Sequence, residues 1–152
     1  MSAMEAQAAV SAARHRTLGL SDQDVLDMYY YIALARALDD RMWVLQRAGK
    51  AMFVISGPGH EGCQVAAVWP MDKQRDWLVP FYRSIAACLV KGMLPRDILL
   101  ALFARADDPS SGGRQMPGHY GHPGMKILST SSPVGTQYPH AVGIAYAAKL
   151  LG

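Results

Sequence analysis

The sequence has few cysteines, few charges and no long apolar run, and each shortage argues against a class of protein. Its two cysteines, Cys63 and Cys88, lie in apolar segments, so we expect both to be reduced and buried rather than bound to a metal. The net charge of +3 comes without a basic cluster, which argues against nucleic-acid binding. No apolar run has transmembrane length and residues 1–16 lack a signal-peptide core, so we expect a cytoplasmic protein that does not bind a membrane.

What is present is typical of a globular chain. The hydrophobic fraction is 51% over 152 residues, enough for one domain or for part of a larger one. We predict a flexible or loosely docked arm over residues 1–19, followed by the folded part, residues 20–152.

A long helix is predicted at the start of the folded part. Ser21 and Asp24 form a Ser-x-x-Asp capping pattern, apolar residues follow at helical spacing, and Gly49 is a suitable stop. Four charged residues interrupt the apolar face of this helix: Arg36, Asp39, Asp40 and Arg41. We interpret them as solvated pairs of opposite charge, the alternative being a buried contact with a partner subunit.

Helical patterns alternate with short apolar segments in the rest of the chain. Further helices are predicted over residues 63–69, 85–91, 95–106 and from 135 or 138 to 151. Residues 51–55 fit a strand or a buried extended segment, and residues 127–130 fit a brief strand. This order suggests an α/β fold, although the chain supplies few strands.

Two turns before predicted helices are candidate anion sites. In the first, Ser56–Gly62, glycines and His60 lie at a helix start, which suits an anion or simply makes a turn and a cap. In the second, Tyr82 and Arg83 offer a hydroxyl and planar guanidinium donors to a phosphate. The alternative for the second is a packed tyrosine beside an arginine that is paired with an acid.

The most unusual stretch is 112–143. It is rich in glycine and proline and contains three of the five histidines, His119, His122 and His140. A long segment without clear secondary structure is usually functional when it is ordered, so we predict an active-site or cofactor loop here.

Four stretches in this order resemble one enzyme family: SGPGHEGCQVA (56–66), RDWLVPFYRS (75–84), GGRQMPGHYG (112–121) and SSPVGTQYPHAVGIAYAAK (131–149). The family is the alpha subunit of the thiamine-diphosphate-dependent decarboxylating component of 2-oxo acid dehydrogenase complexes. The branched-chain (2-oxoisovalerate) type is the most similar, and the resemblance concerns the N-terminal part of that subunit only.

The resemblance implies a fold, a reaction and partners. The fold is a thiamine-diphosphate-binding α/β fold, a parallel sheet flanked by helices, of which this truncated portion would be mostly helical. The reaction is oxidative decarboxylation of a small 2-oxo acid, 2-oxoisovalerate, with acyl transfer to a lipoyl group; pyruvate and acetoin are the alternative substrates. The partners are a beta subunit in an α2β2 heterotetramer and a lipoyl-bearing acyltransferase core.

The resemblance also implies roles for single residues. Tyr82 and Arg83 would bind the cofactor's diphosphate, and Ser132 and Val134 would contact the cofactor near its diphosphate and aminopyrimidine. A structural potassium ion, which some members bind, would be held by Ser131, Pro133, Thr136 and Gln137.

On the substrate side, the resemblance assigns contacts with the 2-oxo acid to Phe53, Tyr82 and His119. His119 would be the catalytic residue, because a histidine can orient a carboxylate or donate a proton near neutral pH.

One motif of the family is absent. The Gly-Asp-Gly motif that holds the magnesium ion does not occur in this sequence, so we expect the magnesium ligands to lie beyond the chain end. The glutamate that activates the aminopyrimidine belongs to the beta subunit. We therefore expect the isolated chain to be inactive and to bind the cofactor weakly. The alternative is a non-catalytic remnant that keeps only a surface for subunit interaction.

Overall fold

The computed structural model describes residues 14–152, and this part of the chain divides into two compact units. The first unit ends at Tyr30, and the second runs from Tyr31 to Gly152. Most of the predicted arm, 1–19, lies outside the described residues. Its last residues include a short helix α1, Arg14–Thr17.

Helix α2, Asp22–Arg47, begins and ends as its sequence predicts. The capping pattern is formed: the Ser21 backbone N–H and hydroxyl donate to Asp24 Oδ2 at 2.8 and 2.6 Å, and the Asp24 N–H donates to Ser21 Oγ at 3.1 Å. These bonds satisfy backbone donors at the helix start that otherwise have no partner inside the helix.

The remaining helices all lie in the second unit. They are α3 (Glu61–Val68), α4 (Ile85–Lys91), α5 (Pro95–Leu102), a 3₁₀ turn (Pro123–Met125) and α6 (Gln137–Leu151). Helix α5 is shorter than predicted, because Phe103 leaves helical geometry and Ala104 adopts a positive φ of 49°. Helix α4 ends at Gly92 as predicted, with a φ of 127° that favours glycine.

The described residues contain no β-strand, so neither predicted strand is formed there. Residues 51–55 have no regular secondary structure and include a bend at Met52, and the 127–130 segment reaches only isolated bridges. Leu78 pairs in parallel with Ile127, with bonds of 2.9 Å from the Leu78 N–H to Lys126 O and from the Leu128 N–H to Leu78 O. One such bridge is too short to be a ladder, so the mostly helical character is confirmed while the sheet is not observed over residues 14–152.

The core of the second unit is centred on α4, in which all seven residues are buried. Burial raises the pKa of the Cys88 thiol, as expected for a cysteine without polar partners. Even Lys91 is buried, and its ammonium donates to the carbonyls of Asp72, Lys73 and Asp76 at 3.4, 2.9 and 2.6 Å. Helix α4 is therefore the most completely buried helix among residues 14–152.

The prediction that Cys63 is buried was wrong. This cysteine is exposed, because the buried positions of α3 are Glu61, Val65 and Val68 on the opposite face. Its thiol donates to the His60 carbonyl at 3.1 Å.

Candidate functional site

One cavity brings together residues from five separate parts of the second unit. Its volume is about 420 Å³, which is within the range of small-molecule sites. The lining residues are Trp43, Phe53, Val54, Ile55, Ser56, Tyr82, Arg83, Met116, His119 and Ser132. The cavity has an apolar wall, from Trp43, Phe53 and Met116, and a polar end with hydroxyl, guanidinium and imidazole groups.

Tyr82 and Arg83 form the centre of the polar end, just before α4. Two glycines allow neighbouring loops to approach their backbone closely. A Cβ atom on Gly57 would lie 2.9 Å from Arg83 O, and one on Gly118 would lie 2.9 Å from Tyr82 O. Because such distances are shorter than real Cβ contacts allow, glycine is required at both positions for this packing.

Arg83 is held at its backbone and at its side chain. Gln64 Nε2 donates to Arg83 O at 3.0 Å, while Gln64 Oε1 accepts from the Ala86 and Ala87 N–H groups at 3.2 and 3.4 Å. The Arg83 guanidinium donates through Nη1 to the Ser56 carbonyl and lies over the Tyr82 ring, 5.4 Å from its centroid. The remaining N–H groups of this planar cation can bind an anion.

His119 and Ser132 form a hydrogen-bonded pair at the other side of the polar end. His119 is buried, with Nε2 at 2.5 Å from Ser132 Oγ and Nδ1 at 3.4 Å from the Pro117 carbonyl. Because a carbonyl can only accept, the Pro117 contact requires a proton on Nδ1, and Ser132 donates to Nε2 when the imidazole is neutral. The His119 ring is stacked against Tyr82 at 6.4 Å between centroids.

Two charged residues of α2, Arg36 and Asp39, contact the 56–61 turn beside this site. Asp39 is only 3% exposed and accepts from Ser56 Oγ at 2.6 Å and from the Gly57 N–H at 3.1 Å. Arg36 donates to Glu61 at 2.7 Å. The prediction of solvated pairs along one helix was therefore wrong for Arg36 and Asp39, because both contact the 56–61 turn instead.

Glu61 lies in the first turn of α3. The sequence predicted either an anion site or a plain turn and helix cap at this segment. The Glu61 carboxylate also accepts from the Gly59 N–H at 2.7 Å. Burial alone would raise the pKa of Glu61, but the hydrogen bonds from Arg36 and from the backbone outweigh it and lower that pKa. The Glu61 carboxylate thus takes the Gly59 N–H that an anion could otherwise have bound, which favours the alternative of a turn and a helix start.

The predicted site residues fall into two groups. Phe53, Tyr82, Arg83, His119 and Ser132 line the one cavity. Val134 does not line it and is 80% exposed. The residues predicted for potassium lie on a turn and the start of α6, where Thr136 donates to the Pro133 carbonyl at 2.8 Å.

Sequence reasoning gave no site role to Trp43 and Met116, which line the cavity, or to Asp39 and Gln64, which hold the loops around it. Met116 lies inside a recognised motif and could have been named. Trp43 stands at an ordinary position in an amphipathic pattern, and its contacts depend on tertiary folding.

Two other kinds of feature are absent from residues 14–152. No group of three or more metal-binding side chains occurs there. None of the helices in that range combines the length and the apolar character needed to cross a bilayer.

Comparison with known proteins identifies similar chains. The family described as "Dehydrogenase E1 component" matches residues 29–152. The 2-oxoisovalerate dehydrogenase alpha subunit of Bacillus subtilis (strain 168) is 50% identical over 141 residues, which are 93% of this chain and 43% of that protein.

More distant relatives include two subunits named for different substrates. The mitochondrial 2-oxoisovalerate dehydrogenase alpha subunit of Homo sapiens is 34% identical over 130 residues, 86% of this chain and 29% of that protein. The pyruvate dehydrogenase E1 component subunit alpha of Mycoplasma genitalium is 32% identical over 127 residues, 84% of this chain and 32% of that protein. The chain thus spans less than half the length of each of these relatives.

Proposed function

Because the chain belongs to the dehydrogenase E1 component family, we propose that it supplies the diphosphate-binding end of a thiamine diphosphate site in a 2-oxo acid dehydrogenase alpha subunit. The observation that supports this most directly is the cavity shared by Tyr82, Arg83, His119 and Ser132. These four residues come from three motifs that are separate in sequence, and their sharing of one cavity supports the proposal.

The donor set of the cavity fits a diphosphate ester. Arg83 presents planar cationic donors, which suit phosphate oxygens, and Tyr82 adds a hydroxyl. The close approaches at Gly57 and Gly118 leave the Tyr82–Arg83 backbone fixed in place, so a ligand would find these groups preorganised.

When bound, thiamine diphosphate would supply the decarboxylation chemistry, and this chain's residues would orient the reactants around it. Phe53 and Trp43 would surround an apolar substrate side chain and exclude water. His119 would keep a proton on Nδ1 and a lone pair on Nε2, which Ser132 already engages. Val134, which lies outside the cavity, remains a proposed cofactor contact from the family pattern only.

We propose a branched-chain 2-oxo acid, 2-oxoisovalerate, as the substrate. The apolar wall of Trp43, Phe53 and Met116 favours a branched aliphatic group, and the 50% identical relative is named for this substrate. Pyruvate is the second candidate, because a 32% identical relative is named for it. The ratio of kcat/KM for 2-oxoisovalerate and pyruvate in the assembled enzyme distinguishes the two, and a preference for pyruvate would contradict our proposal.

The remaining cofactors and partners are also proposals. A beta subunit in an α2β2 assembly and a lipoyl-bearing acyltransferase are proposed from the family, and magnesium would need ligands from outside residues 14–152. At the Thr136–Pro133 contact the hydroxyl proton is already donated to a carbonyl, which leaves the Thr136 oxygen's lone pairs for a potassium ion. The cytoplasmic location remains a prediction.

The test of the cofactor proposal is a set of titrations of the 152-residue chain followed by nuclear magnetic resonance. Pyrophosphate and thiamine diphosphate are expected to shift the Arg83 Nε–H signal, while thiamine without phosphate is not. In the unaltered chain both phosphate compounds should also shift the backbone amide signals of Tyr82 and Ser132, and the Arg83→Gln variant should lose these amide shifts. Equal responses to thiamine and thiamine diphosphate, or a response that persists in Arg83→Gln, would contradict the proposal.

A further inference from the structure

We propose that Asp39 on α2 is a positioning residue for Arg83, acting through the Ser56–Gly57 turn. This inference rests on the proposed function, in which Arg83 binds a diphosphate. It adds a residue that lies outside the four motifs by which the family was recognised and that does not line the ligand cavity.

A continuous path of hydrogen bonds joins the two residues. Asp39 Oδ2 accepts from Ser56 Oγ at 2.6 Å and Oδ1 accepts from the Gly57 N–H at 3.1 Å. The carbonyl of the same Ser56 accepts from Arg83 Nη1. The carboxylate thus fixes the peptide on which the guanidinium rests.

Because Asp39 is buried, its hydrogen bonds to the 56–57 turn are costly to break. A buried carboxylate is costly unless hydrogen bonds compensate it, and Asp39 has no ion pair within the part of the chain that the structure describes. If the 56–57 turn moved away, the carboxylate would lose both donors. Asp39 and Arg83 also line the same small cavity, so the two residues lie close together without forming an ion pair.

Gln64 fixes a different part of Arg83. Its Nε2 holds the Arg83 backbone carbonyl and makes no hydrogen bond to the guanidinium, which lies over the Tyr82 ring. Only the Ser56 carbonyl contacts the guanidinium itself among the hydrogen bonds of the described residues. The direction of the cation therefore depends on the turn, and the turn depends on Asp39.

The first experiment needs no ligand. The Arg83 guanidinium signals of the chain are compared in the unaltered protein, Asp39→Ala, Asp39→Asn and Asp40→Ala, the last being an exposed neighbour on the same helix. We expect faster rotation about the guanidinium bonds in Asp39→Ala, an intermediate rate in Asp39→Asn and no change in Asp40→Ala. Unchanged Arg83 signals in a folded Asp39→Ala or Asp39→Asn protein would overturn the inference, even if the proposed function holds.

The second experiment measures pyrophosphate affinity, and it separates positioning from simple charge. Removing a negative charge near an anion site should tighten binding by Coulomb attraction, whereas loss of positioning should weaken it. We expect about tenfold weaker binding in Asp39→Ala and a smaller loss in Asp39→Asn. Tighter or unchanged binding would overturn the inference.

A double-mutant cycle completes the test. In an Arg83→Lys background, which keeps the positive charge and so a measurable affinity, the substitution of Asp39 should have a clearly smaller effect on pyrophosphate affinity, while its effect on the melting temperature should persist. Equal losses of affinity with and without Arg83 would show a general structural effect and overturn the inference. If Asp39→Ala does not fold, Ser56→Ala, which removes one donor to Asp39 but keeps the carbonyl, replaces it and should give a smaller loss of the same sign.

Discussion

Two stretches predicted to contact one cofactor, Tyr82–Arg83 and Ser131–Gln137, differ sharply in how the fold supports them. The first precedes α4, in which every residue is buried, and glycines approach it from two loops. The second leads into α6, in which no residue is buried. Two sequence motifs that are equally recognisable can therefore differ in rigidity, because the rigidity of each stretch depends on how well the helix that follows it is packed.

This difference has a consequence for binding. Groups that are already ordered lose little conformational entropy when a ligand binds. We therefore expect Tyr82 and Arg83 to provide most of the ligand affinity of this chain. Ser132 is the exception in the second stretch, because His119 holds its side chain.

The largest expected effect compares two leucines in the helices that follow the two stretches. Leu89 in α4 is 2% exposed and Leu150 in α6 is 68% exposed. Leu89→Ala should lower the free energy of unfolding by about 3 kcal/mol, because it leaves a cavity in the core. Leu150→Ala should change it by less than about 0.5 kcal/mol. Urea unfolding measures both, and equal costs would show that α6 is as well packed as α4.

A smaller effect is expected at the glycines. Gly118 has a φ of 84° and its added Cβ would meet Tyr82 O, so Gly118→Ala should cost about 2 kcal/mol and weaken pyrophosphate binding. Gly143 in α6 has open space around it.

Gly143→Ala is the matched control in the second region. Alanine is the better helix former by about 0.5–1 kcal/mol, so this variant should be slightly stabilised. Thermal unfolding of the two variants gives the comparison. A tolerated Gly118→Ala would contradict the close approach of the 118 loop to Tyr82.

Lowering the pH should destabilise the fold near the first stretch, through the protonation of Glu61. The pKa of Glu61 is lower in the folded chain than in the unfolded one, so its ionised form stabilises the fold. This contribution is complete above the unfolded value of about 4.3 and is lost as the pH falls through the lower native pKa. Glu61→Gln should cost about 1 kcal/mol at neutral pH and flatten the acid side of the stability curve, because Arg36 is half exposed and the pair is partly screened.

The control for this prediction is Asp107→Asn. Asp107 is exposed and 3.7 Å from Arg96, and such pairs contribute little to stability. Urea midpoints between pH 3 and 7 should separate the two variants. An acid limb of Glu61→Gln identical to that of the unaltered chain would show that Glu61 is not held as described.

The helices could be predicted from sequence because their signals are local. The Ser21–Asp24 cap and the stop at Gly92 each act within a few residues. The strands could not, since residues 51–55 and 127–130 have strand-like composition but pairing requires a neighbour that no local pattern guarantees.

The site was predictable in part. Tyr82, Arg83 and His119 stand in recognisable motifs, but the partners of Asp39 and Arg36 are 17 and 25 residues away in sequence. An acid in a helix has the same local pattern whether it faces water or a buried turn. Only the tertiary contacts decide, and for this reason the solvated interpretation failed for both residues.

The smallest expected effect concerns Ser132, the residue of the second stretch that lines the cavity. Ser132 Oγ lies within hydrogen-bond distance of His119 Nε2, at 2.5 Å, while its neighbour Ser131 has no hydrogen bond to that ring. Ser132→Ala should cost about 1 kcal/mol or less and should change the ¹⁵N shift of His119 Nε2, whereas Ser131→Ala should change neither. If the ring holds its proton on Nδ1 as the Pro117 contact favours, Nδ1–H should remain the major tautomer in both variants. A shift of the proton to Nε2 in the unaltered chain would reverse the direction of the hydrogen bond, and Ser132 would then have a free proton to donate to a ligand.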